Sequence, residues 1–470
     1  MAFHAASGTA DLLPERAHDF HLIERAAQQV FGLYGYQQIA TPAFEQTDVF
    51  VRGIGQATDV VGKEMYYVFS QDAATKLVEK TALKADQRLA LRPEGTAGVV
   101  RAAVQHNLVP PGAAPARLWY AGPMFRHERQ QKGRYRQFHQ IGVEFLGAAE
   151  ASADAEVVLM LMRFFVACGI PAEAMRLYLN SMGDDDCRPA YRAQVRNYIL
   201  AHSGTLCPEC QRRADTNPLR AFDCKNPDCA AVMADAPRIT DALCPSCAEH
   251  YAQVKALLVT EGLAFEENPR LVRGLDYYTR TVFEVQVDAG LGAQNAIGGG
   301  GRYDKLMEEF GGKPTPGLGF AVGLERIVLV LDELRVARGV PPATEVFVAG
   351  VVGAAASGTA SVAGAAGAGA TAASSTAAAS AQDTKLRATV FSTAEALRVA
   401  GIRTQLDHQG RSLKSQLKLA DKLGVCHCVI IGPEELAVGE VVLRNMQSHA
   451  ERRVPLQKLP EILVEELRSG

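Results

Sequence analysis

The sequence predicts an α+β body carrying a cysteine-rich insertion, followed by a smaller α/β domain. Three observations lead there. Two apolar, aromatic-rich runs, Ala116 to Phe125 and Gln137 to Leu146, flank the polar segment RHERQQKGRYR and read as a hairpin with a long basic loop. Six of the ten cysteines gather between Cys207 and Cys247, inside the segment from Asp184 to about Gly262. Beyond Glu345, strand-like and helix-like segments alternate, as they do around a largely parallel sheet.

The bulk numbers agree with such a chain. At 470 residues it is too long for one ordinary core, so two or three domains are expected. Hydrophobic residues make up 48% and charged residues 21%, the balance of a globular protein. A formal net charge of -3 excludes a surface coated with positive charge and leaves room only for local basic faces. The opening MAFHAASGTADLLPERAHDF has neither a basic region nor a continuous apolar stretch, so no secretory signal is expected. With no long, strongly apolar run, the expected location is cytoplasmic, away from any membrane, with the cysteines as thiols or metal ligands.

Taken along the chain, Phe20, Ile23, Val30 and Phe31 fall on one face of an amphipathic helix from about Pro14 to Tyr34. YQQIATPAFE is extended, and Pro42 confines it to an edge or a bent strand. After the hairpin and the cysteine-rich segment, strand-like sequence resumes at LVRGLDYYTRTVFEVQV, and IGGGGRYD reads as a tight turn letting backbone pass close to a ligand. It lacks the Lys-Ser/Thr ending of a phosphate loop. A helix is expected from near Gly319.

The domain plan is therefore 1–335 for the first body, with the insertion at about 184–262, a linker at 336–342, and 343–470 for the α/β domain. Within the last, EVFVAGVV, IRTQL, CVIIG and VVLRNM read as strands. Thr384 to Val399, SLKSQLKLADKLG and Leu459 to Leu467 read as helices. The Ala/Gly/Ser tract at about 353–382 lacks periodicity and large side chains and is expected to be a disordered loop inside this domain.

Arg126, Arg129, Lys132, Arg134 and Arg136 crowd the hairpin loop around Glu128. An Arg held at a strand end offers a planar fork suited to phosphate oxygens. A carboxylate two residues on accepts instead from an exocyclic amine such as that of adenine. Together they describe a nucleotide held at both ends. From composition alone, a solvated basic loop remains the alternative.

Other blocks bear on that choice. FRHERQQKGRYRQFHQIGVEFLG resembles motif 2 of class II aminoacyl-tRNA synthetases. LRPEGTAGVVRA, LVRGLDYYTRTVFEV and GGGRYDKLMEEFGGKPTPGLGFAVGLERIVLV resemble signatures of the histidyl-tRNA synthetases, the last ending in motif 3, and GYQQIATPAFEQTDVF is similar to motif 1. The blocks stand in the family's order over almost the whole chain.

The resemblance implies a class II catalytic domain, an antiparallel sheet flanked by helices, with an inserted domain and a C-terminal α/β anticodon-binding domain. It implies ATP and Mg2+, and a homodimer with motif 1 at its interface. The substrate carboxylate would attack the α-phosphorus to give histidyl-adenylate and pyrophosphate, so positioning and charge stabilisation would do the work. By matching position, Arg126 and Arg273 would hold the α-phosphate, Glu128 the adenine amine and Arg326 the γ-phosphate end. A helix salt bridge from Arg326 to Glu325 is the plainer alternative.

Histidine would be recognised by Glu144 and Tyr278 at the ring nitrogens, with Glu94, Thr96 and Gln140 around the α-ammonium group. Arg126, Arg273 and Tyr277 complete that pocket. Taken singly, Tyr277 and Tyr278 read as half-buried strand aromatics. A site that leaves its polar groups unpaired with the wrong ligand rejects it by roughly 10⁴ to 10⁵.

Arg129 and Gln131 would read the acceptor end of histidine tRNA, which carries an extra 5′ guanosine; no DNA ligand is expected. Lys414, Lys418 and Lys422 share one helix face, with Leu413, Leu417 and Leu423 on the packed side. The ridge reads either as phosphate contacts near the anticodon or as solvated surface. CPEC and CPSC form two knuckles, Cys224 and Cys229 offer a further pair, and the expectation is one structural zinc on Cys207, Cys210, Cys244 and Cys247, with reduced thiols as the alternative.

Two other readings stay open. One is the catalytically inactive paralogue that regulates ATP phosphoribosyltransferase in histidine biosynthesis. The other is a nonenzymatic RNA-binding protein built around the cysteine-rich module.

Overall fold

The computed structural model describes residues 3–55, 58–129, 132–272, 274–288, 295–339, 343–351 and 371–469, with backbone only at 371–381 and 469. The chain divides into two compact units, 1–338 and 339–470.

The first unit is built on an eight-stranded sheet. Its centre is the expected hairpin, Ala116–Phe125 against Gln137–Leu146, in unbroken antiparallel register from Ala116 opposite Leu146 to Phe125 opposite Gln137. Gly317–Gly323, Ala296–Arg302, Thr279–Val287 and Met175–Ser181 follow, each antiparallel to the last. Parallel two-residue strands, Gln37–Gln38 and Glu266–Glu267, close the two edges. The first of these is the extended segment ahead of Pro42, placed at an edge as the proline demands.

Side chains alternate across this sheet. Ile141, Val143 and Phe145, with Leu318, Phe320 and Val322 and with Phe283, Val285 and Val287, enter the main core. Helices Pro14–Leu33, Ala151–Ala167 and Leu324–Glu333 pack there through Phe20, Ile23, Phe31, Phe164, Phe165 and Ile327. The intervening positions, among them Gln140, Glu144, Gly319 and Ala321, belong to the opposite face.

One ion pair crosses the core. Fully buried Arg302 pairs with fully buried Asp154 and also donates to the Ala148 carbonyl at 2.8 Å and to Asp304 at 3.1 Å. His250 lies 3.3 Å from the same Asp154.

The run IGGGG is a central strand, Ala296–Arg302, and not the expected turn. Its glycines answer to neighbours across the sheet. A Cβ on Gly300 would meet the Gly319 carbonyl oxygen at 1.9 Å.

The insertion is helical. Arg188–Ala201, Pro208–Thr216 and Pro227–Ala234 surround a small core of Tyr191, Val195, Ile199 and Met233. Helix Pro245–Thr260 instead sends Tyr251, Val254 and Leu258 into the main core. Both Cys-Pro pairs start helices: Cys207 and Cys244 precede Pro208 and Pro245 at the first helical position, where a missing N–H costs nothing.

The second unit holds a five-stranded sheet in the order Thr404–Leu406, Val346–Gly350, His427–Ile431, Glu440–Asn445, Glu451–Pro455. The first three are parallel, but the last two form an antiparallel hairpin that the sequence reading did not separate out. Its turn is set by Asn445, whose side chain accepts from the Gln447 and Ser448 amides at 3.0 and 2.9 Å.

Helix Thr371–Val399 begins inside the Ala/Gly/Ser tract, so the expected loop does not extend to residue 382. Alanine is the best helix former, and that propensity outweighs the lack of periodicity here. Residues 353–370 of the tract lie outside the described residues. No helix among the described residues is long and apolar enough to cross a membrane.

Candidate active site

The hairpin loop returns on itself through the Arg126 amide, which donates to the Arg136 carbonyl at 2.9 Å. That fixes where Arg126 leaves the sheet. Its Nε donates to the Pro93 carbonyl at 2.8 Å, and its guanidinium lies 5.4 Å from the centre of the Phe138 ring. Glu128 receives Arg134 at 2.7 Å and lies 3.7 Å from Arg126.

Arg126, Glu128 and Arg134 line a cavity of about 320 Å³ whose far wall includes Glu284 and Arg326. Arg326, at the start of helix Leu324–Glu333, donates to the Ala296 carbonyl. Burial holds its guanidinium below the usual range, with Arg134 adding to the effect. Glu325 is turned to His139, accepting from its backbone amide at 2.9 Å and contacting its ring Nδ1 at 3.0 Å.

A second cavity, of about 180 Å³, is lined by Glu94, Thr96, Tyr277, Tyr278 and Tyr303. It shares Arg126, Gln140, Gly274 and Ala321 with the first. Buried Glu94 accepts from the Thr96 and Ala97 amides, each at 2.8 Å, which orients its carboxylate at the start of helix Thr96–Gln105. Burial nonetheless pushes its pKa up. The Tyr277 and Tyr278 rings lie 4.7 Å apart, and Tyr277 meets Tyr303 edge-on at 5.6 Å.

Glu144 sits beneath this cavity, 1% exposed, and accepts from the Tyr303 hydroxyl. Burial pushes it up to about 8, against the pull of that hydrogen bond. Gly319 lies opposite it on the next strand, where a Cβ would meet the carboxylate oxygen at 2.3 Å.

The structure therefore gathers Glu94, Thr96, Arg126, Gln140, Glu144, Tyr277 and Tyr278 around one compartment, and Arg126, Glu128 and Arg326 around its neighbour. Arg129 is exposed on the loop, while Gln131 and Arg273 lie outside the described residues. Lys414, Lys418 and Lys422 are exposed on helix Leu413–Lys422 in the second unit, above the packed Leu413, Leu417 and Leu423. Tyr303 was missed, because GGGGRYD read as a turn. Arg134 was counted in the basic cluster, but one Arg among five basic residues carries no sign that it pairs with Glu128.

The zinc ligand set is corrected. Cys207 and Cys210 group with Cys224 and Cys229, whereas Cys244 and Cys247 group with Asp184 and Cys187. The two knuckles open different helices and are carried to separate clusters, so Cys207, Cys210, Cys244 and Cys247 do not form one site.

An antiparallel sheet carrying a motif 2 hairpin, with an α/β domain following, defines a class II aminoacyl-tRNA synthetase. The histidyl-tRNA synthetase family model matches residues 8–183 and 225–327, and an anticodon-binding domain model matches 375–466. A histidine–tRNA ligase from Anaeromyxobacter dehalogenans is 43% identical over 98% of this chain and 99% of its own. One from Moorella thermoacetica is 42% identical over 96% and 95%. The crystal structure of apo Staphylococcus aureus histidyl-tRNA synthetase superposes with a TM-score of 0.74 at 32% identity, covering 98% of this chain and 99% of that one. The chain belongs to the histidyl-tRNA synthetase family.

Proposed function

We propose that the chain is a histidine–tRNA ligase that joins histidine to ATP in two adjoining compartments and passes it to the 3′ end of histidine tRNA. The observation that carries this reading is the shared wall: Arg126 and Gln140 line both cavities. A reaction between two bound substrates needs such a junction.

Histidine enters the smaller cavity. Glu94, Thr96 and Gln140 take its ammonium group, and Glu144 and Tyr278 face its ring nitrogens, with Tyr277 and Tyr303 enclosing the ring. ATP, arriving with magnesium as substrate, fills the larger one. Glu128 accepts from the adenine amine, held in place by Arg134, and Arg326 meets the γ-phosphate end.

A histidine carboxylate oxygen bonds to the α-phosphorus as the bond from that phosphorus to the pyrophosphate oxygen breaks. Pyrophosphate leaves with its electron pair. Arg126 stands where charge builds on the transferring phosphoryl group, and Arg273 is assigned to the same group. No side-chain nucleophile is required, because the attacking group is already ionised.

The 3′-terminal hydroxyl oxygen of the tRNA then bonds to the activated carbonyl carbon as the bond from that carbon to the phosphate oxygen breaks; AMP leaves with the electron pair, and the hydroxyl proton goes to the departing phosphate. Arg129 and Gln131 are assigned to the acceptor end, and the Lys414, Lys418 and Lys422 ridge to phosphates near the anticodon. The working enzyme is a cytoplasmic homodimer in this reading. The regulatory-paralogue reading leaves Arg126, Glu128 and Glu144, assembled around the cavities, without a purpose, and the RNA-binding reading leaves the amino acid pocket without one.

Histidine-dependent exchange of pyrophosphate into ATP is the test. Exchange with histidine and not with other amino acids is expected. Its absence in folded, tRNA-competent protein would overturn the proposal.

A further inference from the structure

We infer that Cys207, Cys210, Cys224 and Cys229 hold a structural zinc ion, and that this ion fixes the segment that braces the amino acid pocket. Their four sulfurs all lie within 4.8 Å of one another, and the Cys207 and Cys224 sulfurs are 3.9 Å apart. Four thiolates about 2.3 Å from a tetrahedral zinc stand roughly 3.8 Å from one another. The sulfurs are thus already spaced for the ion.

Each ligand is placed by local structure. Cys207 and Cys210 span the first turn of helix Pro208–Thr216, Cys224 ends the turn Pro218–Asp223, and Cys229 lies in helix Pro227–Ala234. The Cys207 amide donates to the Cys229 sulfur at 3.2 Å, a contact that orients a ligand from outside the metal's own shell. Cys210 and Cys229 are fully buried. All four ligands are sulfur, which favours zinc over magnesium or calcium.

The chain between the two ligand pairs reaches the active site. From it, the Asn217 side-chain amide donates to the Asp276 carboxylate at 3.0 Å, and Arg220 donates to the Gly274 carbonyl. Arg213 secures that reach by donating to the Arg220 carbonyl at 2.8 Å. Asp276 directly precedes Tyr277 and Tyr278, and Gly274 stands two residues before it. Asn217 and Arg220 are therefore positioning residues, and this second half rests on reading the smaller cavity as the histidine site.

Zinc content of the purified full chain tests the first half independently of activity. The parent is expected to hold one equivalent more than the Cys224→Ser/Cys229→Ser double variant, a difference that separates this site from the Asp184 cluster. Equal content in the two, less than a tenth of an equivalent in the parent, or iron in place of zinc would overturn it.

Should that variant fail to fold, a Cys244→Ser/Cys247→Ser variant, which disables the other cluster, gives the same answer. One equivalent of zinc retained in it supports the site, and loss of all zinc overturns it. For the second half, Asn217→Ala is expected to keep its zinc and raise the histidine KM about tenfold, with the ATP KM unchanged. An unchanged histidine KM with zinc retained would overturn the bracing role while leaving the metal site and the ligase reading standing.

Discussion

The Tyr303 hydroxyl donates to the Glu144 carboxylate across 159 positions of sequence, beneath the floor of the smaller cavity. The other Glu144 oxygen has no hydrogen-bond partner among the described residues. One oxygen is thus held, and in the proposed reading the other faces the ligand. Tyr303→Phe removes the donor and keeps the ring. Stripping a buried acceptor costs about 1–3 kcal/mol, so a lower melting temperature and a raised histidine KM are expected together. Unchanged values for both would show that the contact matters to neither.

The same carboxyl gives the ligand-free protein a pH signature. With its folded pKa lifted to about 8, Glu144 keeps a proton that the unfolded chain has already lost. Its contribution to stability is complete below the unfolded value, near ~4.3, and is lost as pH rises through about 8. The ligand-free parent should lose melting temperature between pH 6 and pH 8.5 more steeply than Glu144→Gln. Parallel slopes for the two would contradict the burial argument.

Arg326 enters the larger cavity from a helix start and is fixed by the Ala296 carbonyl. Removing a preorganised charge of this kind costs roughly 10² to 10³ in rate. Arg326→Ala should slow histidine-dependent pyrophosphate exchange by about that factor, and Arg273→Ala should do likewise. Circular dichroism of both variants should stay at the parent value. Wild-type exchange in either one would remove it from the triphosphate site.

The Arg302 and Asp154 pair makes a separate demand on stability. Both side chains are completely buried, so Asp154→Ala strands a guanidinium in the core. A loss of about 3–5 kcal/mol in chemical denaturation is expected. A loss below about 1 kcal/mol would mean that the remaining contacts of Arg302 to Ala148 and Asp304 suffice.

The Ala/Gly/Ser tract offers a test by deletion. Helix Thr371–Val399 starts within it, while Leu386 is the first of its described side chains to be buried in the core of the second unit. Removing residues 353–370 shortens the connection and leaves that helix whole, and loop length adds only slowly to closure cost. Adenylate formation should be unchanged within about twofold. A large fall would give the tract a role in the first reaction.

How much of this the sequence carried depends on whether the signal was local. Phe20, Ile23 and Phe31 announced a buried helix face, and the apolar runs on either side of the basic loop announced the hairpin. Local pattern cannot show what lies across a sheet. Gly300 is glycine because the Gly319 backbone comes too close for a side chain, so the strand offered no β-forming residues to read. Tyr303 was hidden with it. Cysteine spacing revealed the two knuckles and a further pair, Cys224 and Cys229, but not which of them share a site, since tertiary packing decides that and brings Asp184 to the second cluster. The helical start at Thr371 was legible in its alanines and was passed over for want of periodicity.

Because Arg126 and Gln140 line both cavities, the two compartments adjoin each other. A single inhibitor that tethers an imidazole head to an adenosine tail through a non-hydrolysable bridge could occupy both at once. Its second half would engage at the high local concentration set by the tether, so its affinity should far exceed that of either fragment alone.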